Sequence, residues 1–199
     1  METIIAASQN KGKIKEMEAI TKAFGMTVIS RGEAGIADVD IIEDGKTFEE
    51  NSLKKAREIM KLCGKATIAD DSGVEVDALG GEPGVFSARY AGDECDDKKN
   101  RDKLLEALAE VPLEKRTGRF VSAISMVWPD GKEITARGEC EGHIIFEERG
   151  EHGFGYDSLF VPEGHEKTFA ELPPEEKNKI SHRANALNLL KNKLEGQNG

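Results

Sequence analysis

The chain has 199 residues, and its 28 Lys and Arg against 38 Asp and Glu give a formal net charge of −10 at pH 7. This charge argues against a nucleic-acid partner, which needs a basic patch, whereas a small polyanion needs only a local cluster of cations. No apolar run is long enough to span a membrane, the first residues lack the features of a signal peptide, and the three cysteines form neither a disulfide framework nor a zinc motif, so we expect a cytoplasmic protein with no membrane partner.

The first half of the chain alternates strand patterns with helix patterns. Thr47 and Glu50 have the spacing of a capping box, and Gly25 and Gly64 stand where the two helices are expected to end. The predicted elements are a strand over 3–7, a turn over 8–13, a helix over 14–24, a strand over 27–30, an irregular segment over 31–46, a helix over 47–63, a strand over 66–69, an acidic turn over 70–73 and an extended segment over 74–78.

The second half begins with a glycine-rich loop and contains a hairpin signal at residues 129–131. The predicted elements are a loop over 80–90, a helix over 98–109, a strand over 119–128, its hairpin partner over 133–140, further strands over 144–147 and 156–161, and a final helix that Ser181 caps. No repeat or linker is visible, so we expect a single domain over 1–199 with a disordered tail after about residue 194. The pattern predicts an α/β fold with a central mixed, twisted sheet flanked by helices.

Two adjacent carboxylates, Asp70 and Asp71, directly follow the third predicted strand. Charges beside a core must be paired, hydrated or bound to a metal. In an open α/β sheet, ligands bind at the carboxyl ends of strands. A solvated acidic turn would explain this pair by itself, but the other motifs of the chain favour a functional site.

The loop between the first strand and the first helix is a candidate phosphate site. A helix N-terminus offers backbone N–H groups and the positive end of its dipole, and Ser8, Asn10, Lys11 and Lys13 add donors and positive charge. The GxxxxGK[ST] pattern is absent, and a polar helix start with solvated lysines is the alternative.

Other candidate residues are individually ambiguous. Glu43 follows two isoleucines, and Asn51 and Lys55 share one face of a predicted helix, yet ordinary surface polarity explains each of them, and Arg89, equally well. The aromatic residues of Gly153–Asp157 are able either to stack on a base or to fill the core. Cations at Lys177 and in Ser181-His182-Arg183 oppose a helix dipole, which favours a bound anion, although a structural role for His182 stays open.

Together these segments resemble the inosine triphosphate pyrophosphatase family, in family order and over nearly the whole chain. The resemblance is carried by Ser8-Gln9-Asn10-Lys11-Gly12-Lys13, Thr47-Phe48-Glu49-Glu50-Asn51, Ala69-Asp70-Asp71-Ser72-Gly73, the run from Ala78 to Gly92, Gly153-Phe154-Gly155-Tyr156-Asp157, Lys177-Asn178 and Ser181-His182-Arg183. It implies a homodimer of an elongated α/β fold, with the site in a cleft between two lobes.

The resemblance also implies Mg²⁺-dependent hydrolysis of aberrant purine nucleoside triphosphates (dITP, ITP and XTP) to the monophosphate and pyrophosphate, with Mn²⁺ able to replace Mg²⁺. Asp71 would accept a proton from the attacking water and, with Glu43, bind the metal, while Asp70 would support the metal site. The implied substrate-binding residues are Ser8, Gln9, Asn10, Lys11, Gly12 and Lys13 at the triphosphate, Lys55 and Ser72 near it, and Phe154, Gly155, Tyr156, Asp157, Lys177, His182 and Arg183 around the base.

Elementary chemistry agrees with these roles. Oxygen ligands suit Mg²⁺ or Mn²⁺ rather than zinc, and a metal with lysines offsets the charge that develops when water attacks the α-phosphorus. A buried donor pairs with the 6-oxo group of inosine or xanthosine and faces another donor in adenine, so we expect selection against ATP. His182, Arg183 or a backbone N–H is the candidate donor.

The chain departs from the family pattern at two positions. Gln9 replaces the glycine of Thr-Gly-Asn, which the loop tolerates if the φ of Gln9 is negative, and Ser158 replaces the proline after Tyr-Asp. Two other functions stay open. One is a Maf-like pyrophosphatase acting on pyrimidine or modified nucleotides, and the other is a nucleotide-binding module without turnover.

Overall fold

The computed structural model describes residues 3–36 and 39–196. These residues form β1 (Thr3–Ala6), α1 (Lys11–Lys22), β2 (Thr27–Ser30), α2 (Phe48–Cys63), β3 (Thr67–Val76), α3 (Asp97–Ala107), β4 (Thr117–Val127), β5 (Glu133–Ile144), β6 (Phe160–Pro162), α4 (Pro174–Ile180) and α5 (His182–Gly196). Short 3₁₀ segments lie at Asp77–Leu79, Gly84–Arg89 and Leu113–Lys115. Within the described ranges, no helix is both long and apolar enough to cross a membrane.

The six strands form one mixed sheet in the order β2-β1-β3-β4-β5-β6. β1 pairs in parallel with both β2 and β3, whereas β5 and β6 are antiparallel. The predicted α/β class with a mixed sheet is therefore confirmed. Because the chain leaves β1 through α1 to one side and returns as β3 on the other, the carboxyl end of β1 is a switch point of the kind at which α/β proteins bind ligands.

Local sequence signals account for the helix ends. Asn10 caps α1 by accepting the Lys13 N–H at 3.1 Å, and Thr47 caps α2 by accepting the Glu50 N–H at 3.1 Å. Gly64 ends α2 in the left-handed conformation, with φ 61°. Gly25 is not the C-cap of α1 as predicted, because the helix ends at Lys22 with Ala23 as its C-cap, and Gly25 lies in the turn that follows.

Several predicted boundaries are wrong. Residues 11–13, predicted as turn, form the first turn of α1, and β5 runs without a break to Ile144 where two strands were predicted. β6 begins only at Phe160, and α4 was not predicted at all. α5 continues beyond Leu194 to Gly196, so the predicted tail is helical there, and the rest of that tail lies outside the described residues.

The largest correction concerns the acidic pair. Asp70 and Asp71 do not lie in a turn, because β3 continues through them to Val76. They nevertheless lie next to the carboxyl end of a strand, because the neighbouring strand β1 ends just before them. Ile68 of β3 is in register with Ala6, the last residue of β1, so β3 extends past β1 at these two carboxylates.

The chain divides into two compact units. The first comprises Met1–Asp71, Ser122–Gly138 and Arg183–Gly199, and the second comprises Ser72–Val121 and Glu139–His182. The single domain and the cleft between two lobes stay predictions.

The first unit has a core on each face of its strands. Ile4 and Ala6 of β1 and Ile68 of β3 pack with residues of α1 and α5, whereas Ile5 and Ala69 pack with residues of α2. Side chains alternate between faces along a strand. Asp70 therefore continues the face of Ile68, toward α1 and α5, and Asp71 continues the face of Ala69, toward α2.

The second unit has one core, built from β3, β4, α3 and the 154–172 region. Gly73 is where the 84–89 segment packs on β3. Ser87 Oγ accepts the Val74 N–H at 2.9 Å, and a Cβ on Gly73 would collide with Ser87 Oγ and the Gly84 carbonyl oxygen. The Ser-Gly after the two aspartates is thus explained by packing and not by a turn.

Gly73→Ala is expected to lower the free energy of unfolding by about 1–3 kcal/mol, because the added methyl group overpacks this contact. Urea unfolding followed by the single tryptophan measures the loss. Gly32→Ala is the matched control, since a Cβ there meets nothing within 4 Å, and its effect should stay within about 0.5 kcal/mol. Equal effects of the two variants would contradict the packing explanation.

Candidate active site

Asp70 is a fully paired buried carboxylate. Its Oδ2 lies 2.9 Å from Lys13 Nζ and 3.2 Å from Arg183 Nη2, and its Oδ1 accepts the Ser122 hydroxyl at 2.5 Å. Burial by itself would raise the pKa of Asp70, but Arg183 and Lys13 together with the Ser122 hydrogen bond hold it well below its usual range. Asp70 therefore stays ionised, and it positions the two cations.

Arg183 is the second buried member of this cluster. Its side chain is 0% exposed, and its Nη1 pairs with Glu16 on α1 while its Nη2 pairs with Asp70. Burial by itself would lower the pKa of Arg183, but Asp70 and Glu16 raise it by more than burial lowers it. The net pKa is therefore raised, and the guanidinium is charged. The cluster links α1, β3 and the start of α5.

Asp71 belongs to a second cluster on the other face of β3. Lys55 Nζ lies 3.3 Å from Asp71 Oδ1 and 3.1 Å from Glu43 Oε1, so one ammonium group holds two carboxylates. Burial raises the pKa of Asp71 despite the opposing effect of Lys55 and Lys13. Burial lowers the pKa of Lys55, but Asp71 and Glu43 raise it more, and the net pKa of Lys55 is raised.

The residues of this second cluster fit a magnesium ion. Asp71 Oδ2 is buried and has no hydrogen-bond partner among the described residues, so one carboxylate oxygen of the cluster makes no hydrogen bond. No group of three or more His, Cys, Asp or Glu arranged for a metal occurs in residues 3–36 and 39–196. A pair of carboxylates still suffices for Mg²⁺, which usually takes its remaining ligands from water and substrate phosphates.

The loop after β1 is compact and presents donors. Ser8 Oγ accepts the Asn10 N–H at 3.1 Å, and Asn10 Oδ1 caps α1, so the first turn of α1 is fixed. Gln9, Asn10 and Lys11 are exposed. Cys95 is the one non-glycine residue with positive φ in the described ranges, so Gln9 adopts this loop without the conformation that requires glycine.

In the second unit, the Gly153–Asp157 turn is anchored from two sides. Asp157 Oδ2 accepts the Phe154 N–H at 3.0 Å and pairs with Lys177 Nζ at 2.6 Å. The Gly155 N–H donates to Asp97 Oδ2 at 2.9 Å, and its carbonyl accepts Arg101 Nη1 at 2.8 Å, both from α3. Sequence reasoning missed Asp97 and Arg101, because nothing in their pattern distinguishes them from a solvated helix face.

The two aromatic residues of this turn have different environments. Phe154 is half-buried, and Lys177 Nζ lies 5.0 Å from its ring centroid. Tyr156 is 5% exposed, and its hydroxyl donates to the Ser87 carbonyl at 2.7 Å. The ring of Tyr156 is thus a core element that joins the turn to the 84–89 segment, whereas the ring of Phe154 is less buried.

His182 is held by an aromatic stack. Its ring is nearly parallel to that of Phe120, with centroids 4.7 Å apart and planes 14° apart, and the Phe169 centroid lies 6.3 Å from that of His182. Phe120 and Phe169 were missed as supports because an apolar residue gives no signal in the sequence beyond core packing. Ser122 and Glu16 were missed for the corresponding reason, as ordinary polar residues.

The structure thus places the predicted residues in two groups. Ser8–Lys13, Glu43, Lys55, Asp70, Asp71 and Arg183 belong to the first unit, and Ser72, Phe154–Asp157, Lys177 and His182 belong to the second. Ser72 follows Asp71 on β3 and is half-buried. Ser158 stands at the second departure from the family pattern, and its hydroxyl donates to Glu148 Oε2 at 3.1 Å.

These features define an α/β protein in which buried carboxylates and cations meet beside the carboxyl end of β1. The sequence model of the Ham1 family matches residues 4–193. The chain belongs to the Ham1 family.

Curated relatives match over nearly their full length. The dITP/XTP pyrophosphatase of Clostridium perfringens is 49% identical over 202 residues, covering 98% of this chain and 98% of that protein. That of Haemophilus influenzae is 52% identical over 193 residues, covering 96% and 98%. Among solved structures, the Ham1 protein of Staphylococcus aureus superposes with a TM-score of 0.85 at 44% identity, over 98% of this chain and 100% of that one.

Proposed function

We propose that this protein hydrolyses the aberrant purine nucleoside triphosphates dITP, ITP and XTP to the monophosphate and pyrophosphate, in a Mg²⁺-dependent reaction that cleanses the nucleotide pool. The observation that carries the proposal is the Asp71–Lys55–Glu43 cluster in a chain of the Ham1 family. The names of the relatives, dITP/XTP pyrophosphatase, support the substrate class.

In this proposal the first unit binds the triphosphate. The fixed start of α1 offers backbone N–H groups and the positive end of a helix dipole, with Ser8 and Asn10 beside it. Lys13 and Lys55 already lie among carboxylates, so their charge is positioned before substrate arrives. Positioned charge of this kind is the main contribution of a protein to phosphoryl-type transfer.

Glu43 and Asp71 are assigned the metal. Mg²⁺ would neutralise phosphate charge and polarise the α-phosphoryl group. In the proposed reaction, water forms a bond to the α-phosphorus, the bond from that phosphorus to the bridging oxygen breaks, and pyrophosphate leaves. Asp71 orients the water and accepts its proton.

The second unit is assigned the base. Phe154 offers a half-buried ring face with the Lys177 ammonium above it, and the stack on Phe120 fixes the plane of His182. A fixed donor pairs with a 6-oxo group and opposes a 6-amino group, and such a mismatch discriminates strongly between bases. Tyr156 and Asp157 contribute by holding the turn. We also propose that the protein is a cytoplasmic homodimer.

The test is release of pyrophosphate and of orthophosphate from dITP, ITP, XTP, GTP, ATP and pyrimidine triphosphates with Mg²⁺. Pyrophosphate from dITP, ITP and XTP, with little from ATP, is the expected result. Orthophosphate as the first product would move the attack to the γ-phosphorus and contradict the mechanism. Preference for pyrimidine nucleotides would favour the Maf-like function, and tight binding without any release would favour the binding module.

A further inference from the structure

We infer that Asn51 is a positioning residue for the metal site: it fixes the backbone of the segment that carries Glu43, and so holds the Glu43 carboxylate beside Lys55 and Asp71. The inference rests on the proposed function, since it gives Asn51 a part in binding the Mg²⁺ of that reaction.

Glu43 needs such a support because the segment around it has no regular secondary structure. Residues 39–46 belong to neither a helix nor a strand. The Gly45 N–H donates to Asn51 Oδ1 at 2.8 Å, and Asn51 is 1% exposed on α2. Lys55, one helical turn further on, contacts the Glu43 carboxylate at 3.1 Å. One face of α2 thus binds both the side chain of Glu43 and the backbone two residues after it.

The packing at Gly45 is tight as well as hydrogen-bonded. A Cβ on Gly45 would lie 2.6 Å from Asn51 Oδ1 and 2.8 Å from Glu50 Cβ. The contact therefore accepts only glycine without displacement. The nearby pair Lys54–Asp44 is different, because its two side chains are 38% and 68% exposed, and such surface pairs restrain a segment weakly.

Asn51 also carries a feature that packing does not explain. Its Oδ1 must face the Gly45 N–H, because the opposite amide orientation would set two donors against each other. The Nδ2 is then buried with no hydrogen-bond partner among the described residues. A buried donor without a partner is unfavourable for stability, which points to a role of this side chain beyond filling space.

The experiment compares Asn51→Ala, Asn51→Asp and Lys54→Ala in the full chain. The first readout is the Mg²⁺ concentration for half-maximal pyrophosphate release from dITP, with the rate at saturating Mg²⁺ measured separately. The second is the amide hydrogen-exchange rate of Gly45, measured by NMR without metal or nucleotide.

Asn51→Ala should raise the half-maximal Mg²⁺ concentration about 10- to 100-fold, as expected for loss of a group that orients a metal ligand, with a much smaller change at saturating Mg²⁺. It should also speed exchange at Gly45. Asn51→Asp keeps the acceptor for the Gly45 N–H and should keep exchange at Gly45 slower than in Asn51→Ala. Lys54→Ala, which breaks only the exposed pair to the same segment, should change neither.

An unchanged Mg²⁺ requirement in Asn51→Ala would overturn the inference, as would equally fast exchange at Gly45 in the Ala and Asp variants. If Asn51→Ala does not fold, Gly45→Ala displaces the same contact from the other side and must give the same shift. If the wild-type protein releases no pyrophosphate from dITP, the proposed function fails. The exchange rate at Gly45 then tests separately whether Asn51 fixes the backbone of the segment that carries Glu43. Faster exchange in Asn51→Ala supports this role, and unchanged exchange rejects it.

Discussion

Asp71→Asn is expected to lower the rate of pyrophosphate release about 10²- to 10⁴-fold at saturating Mg²⁺ and nucleotide, because an amide neither accepts the proton of the attacking water nor binds a metal as a carboxylate does. The fold should survive the change. Asn has the shape of Asp, and burial already disfavours the ionised carboxylate, as the raised pKa of Asp71 indicates.

The measurement is steady-state pyrophosphate release combined with thermal unfolding of both proteins. Asp44→Asn is the matched control, since it removes a carboxylate that is 68% exposed and paired only at the surface, and it should keep the wild-type rate. A normal rate in Asp71→Asn would remove Asp71 from the mechanism. A low rate together with a large loss of thermal stability would instead assign it a structural role.

Arg183→Met is expected to cost about 3–5 kcal/mol of unfolding free energy, because it leaves Asp70 and Glu16 without the cation that both contact. The side chain of Asp70 is 0% exposed, so bulk water does not solvate this carboxylate in the folded protein. Methionine is long and flexible enough to occupy much of the same space, so the loss measures charge more than volume.

Urea unfolding followed by tryptophan fluorescence checks this value. Arg119→Met is the control, since Arg119 also pairs with carboxylates, those of Glu75, Asp77 and Glu141, but at a partly exposed site, where the loss should stay below about 1 kcal/mol. The double variant Asp70→Asn/Arg183→Met removes both buried charges and should recover part of the loss. Equal losses for Arg183 and Arg119 would contradict the assignment of Arg183 as a buried anchor.

The sequence predicted the fold where the signal is local. The capping box at Thr47 and the apolar periodicity predicted α2, and apolar periodicity predicted α1 without its first turn. Runs of β-branched residues predicted β1 and β2. It failed where tertiary pairing overrides local composition. Ser72 and Gly73 look like turn residues, yet β3 runs through them because its partners and the packing against Ser87 hold the backbone extended.

In the candidate site, too, local sequence predicts some residues and only the tertiary structure reveals the others. Asp70, Asp71, Lys13 and Lys55 are recognisable from motif and resemblance. Their pairing is a tertiary property, and only the structure assigns Asp70 to Lys13 and Arg183 and assigns Asp71 to Lys55. Glu16, Ser122 and Phe120 carry no chemical signature in the sequence. They become significant only when α1, β4 and α5 bring them beside a charged or aromatic partner.

Because the side chains of Asp70 and Asp71 lie on opposite faces of the sheet, the number of residues that precede them in β3 is critical. Deleting Ala69 would shift each following side chain by one place and turn it to the other face of the sheet. Asp70 would then face α2, and Asp71 would face α1 and α5, so each carboxylate would meet the partners of the other. A deletion of the same size in the turn at residues 129–132 moves neither carboxylate. Insertions and deletions should therefore be tolerated in the turns of this protein and excluded from the few residues between Thr67 and Asp71.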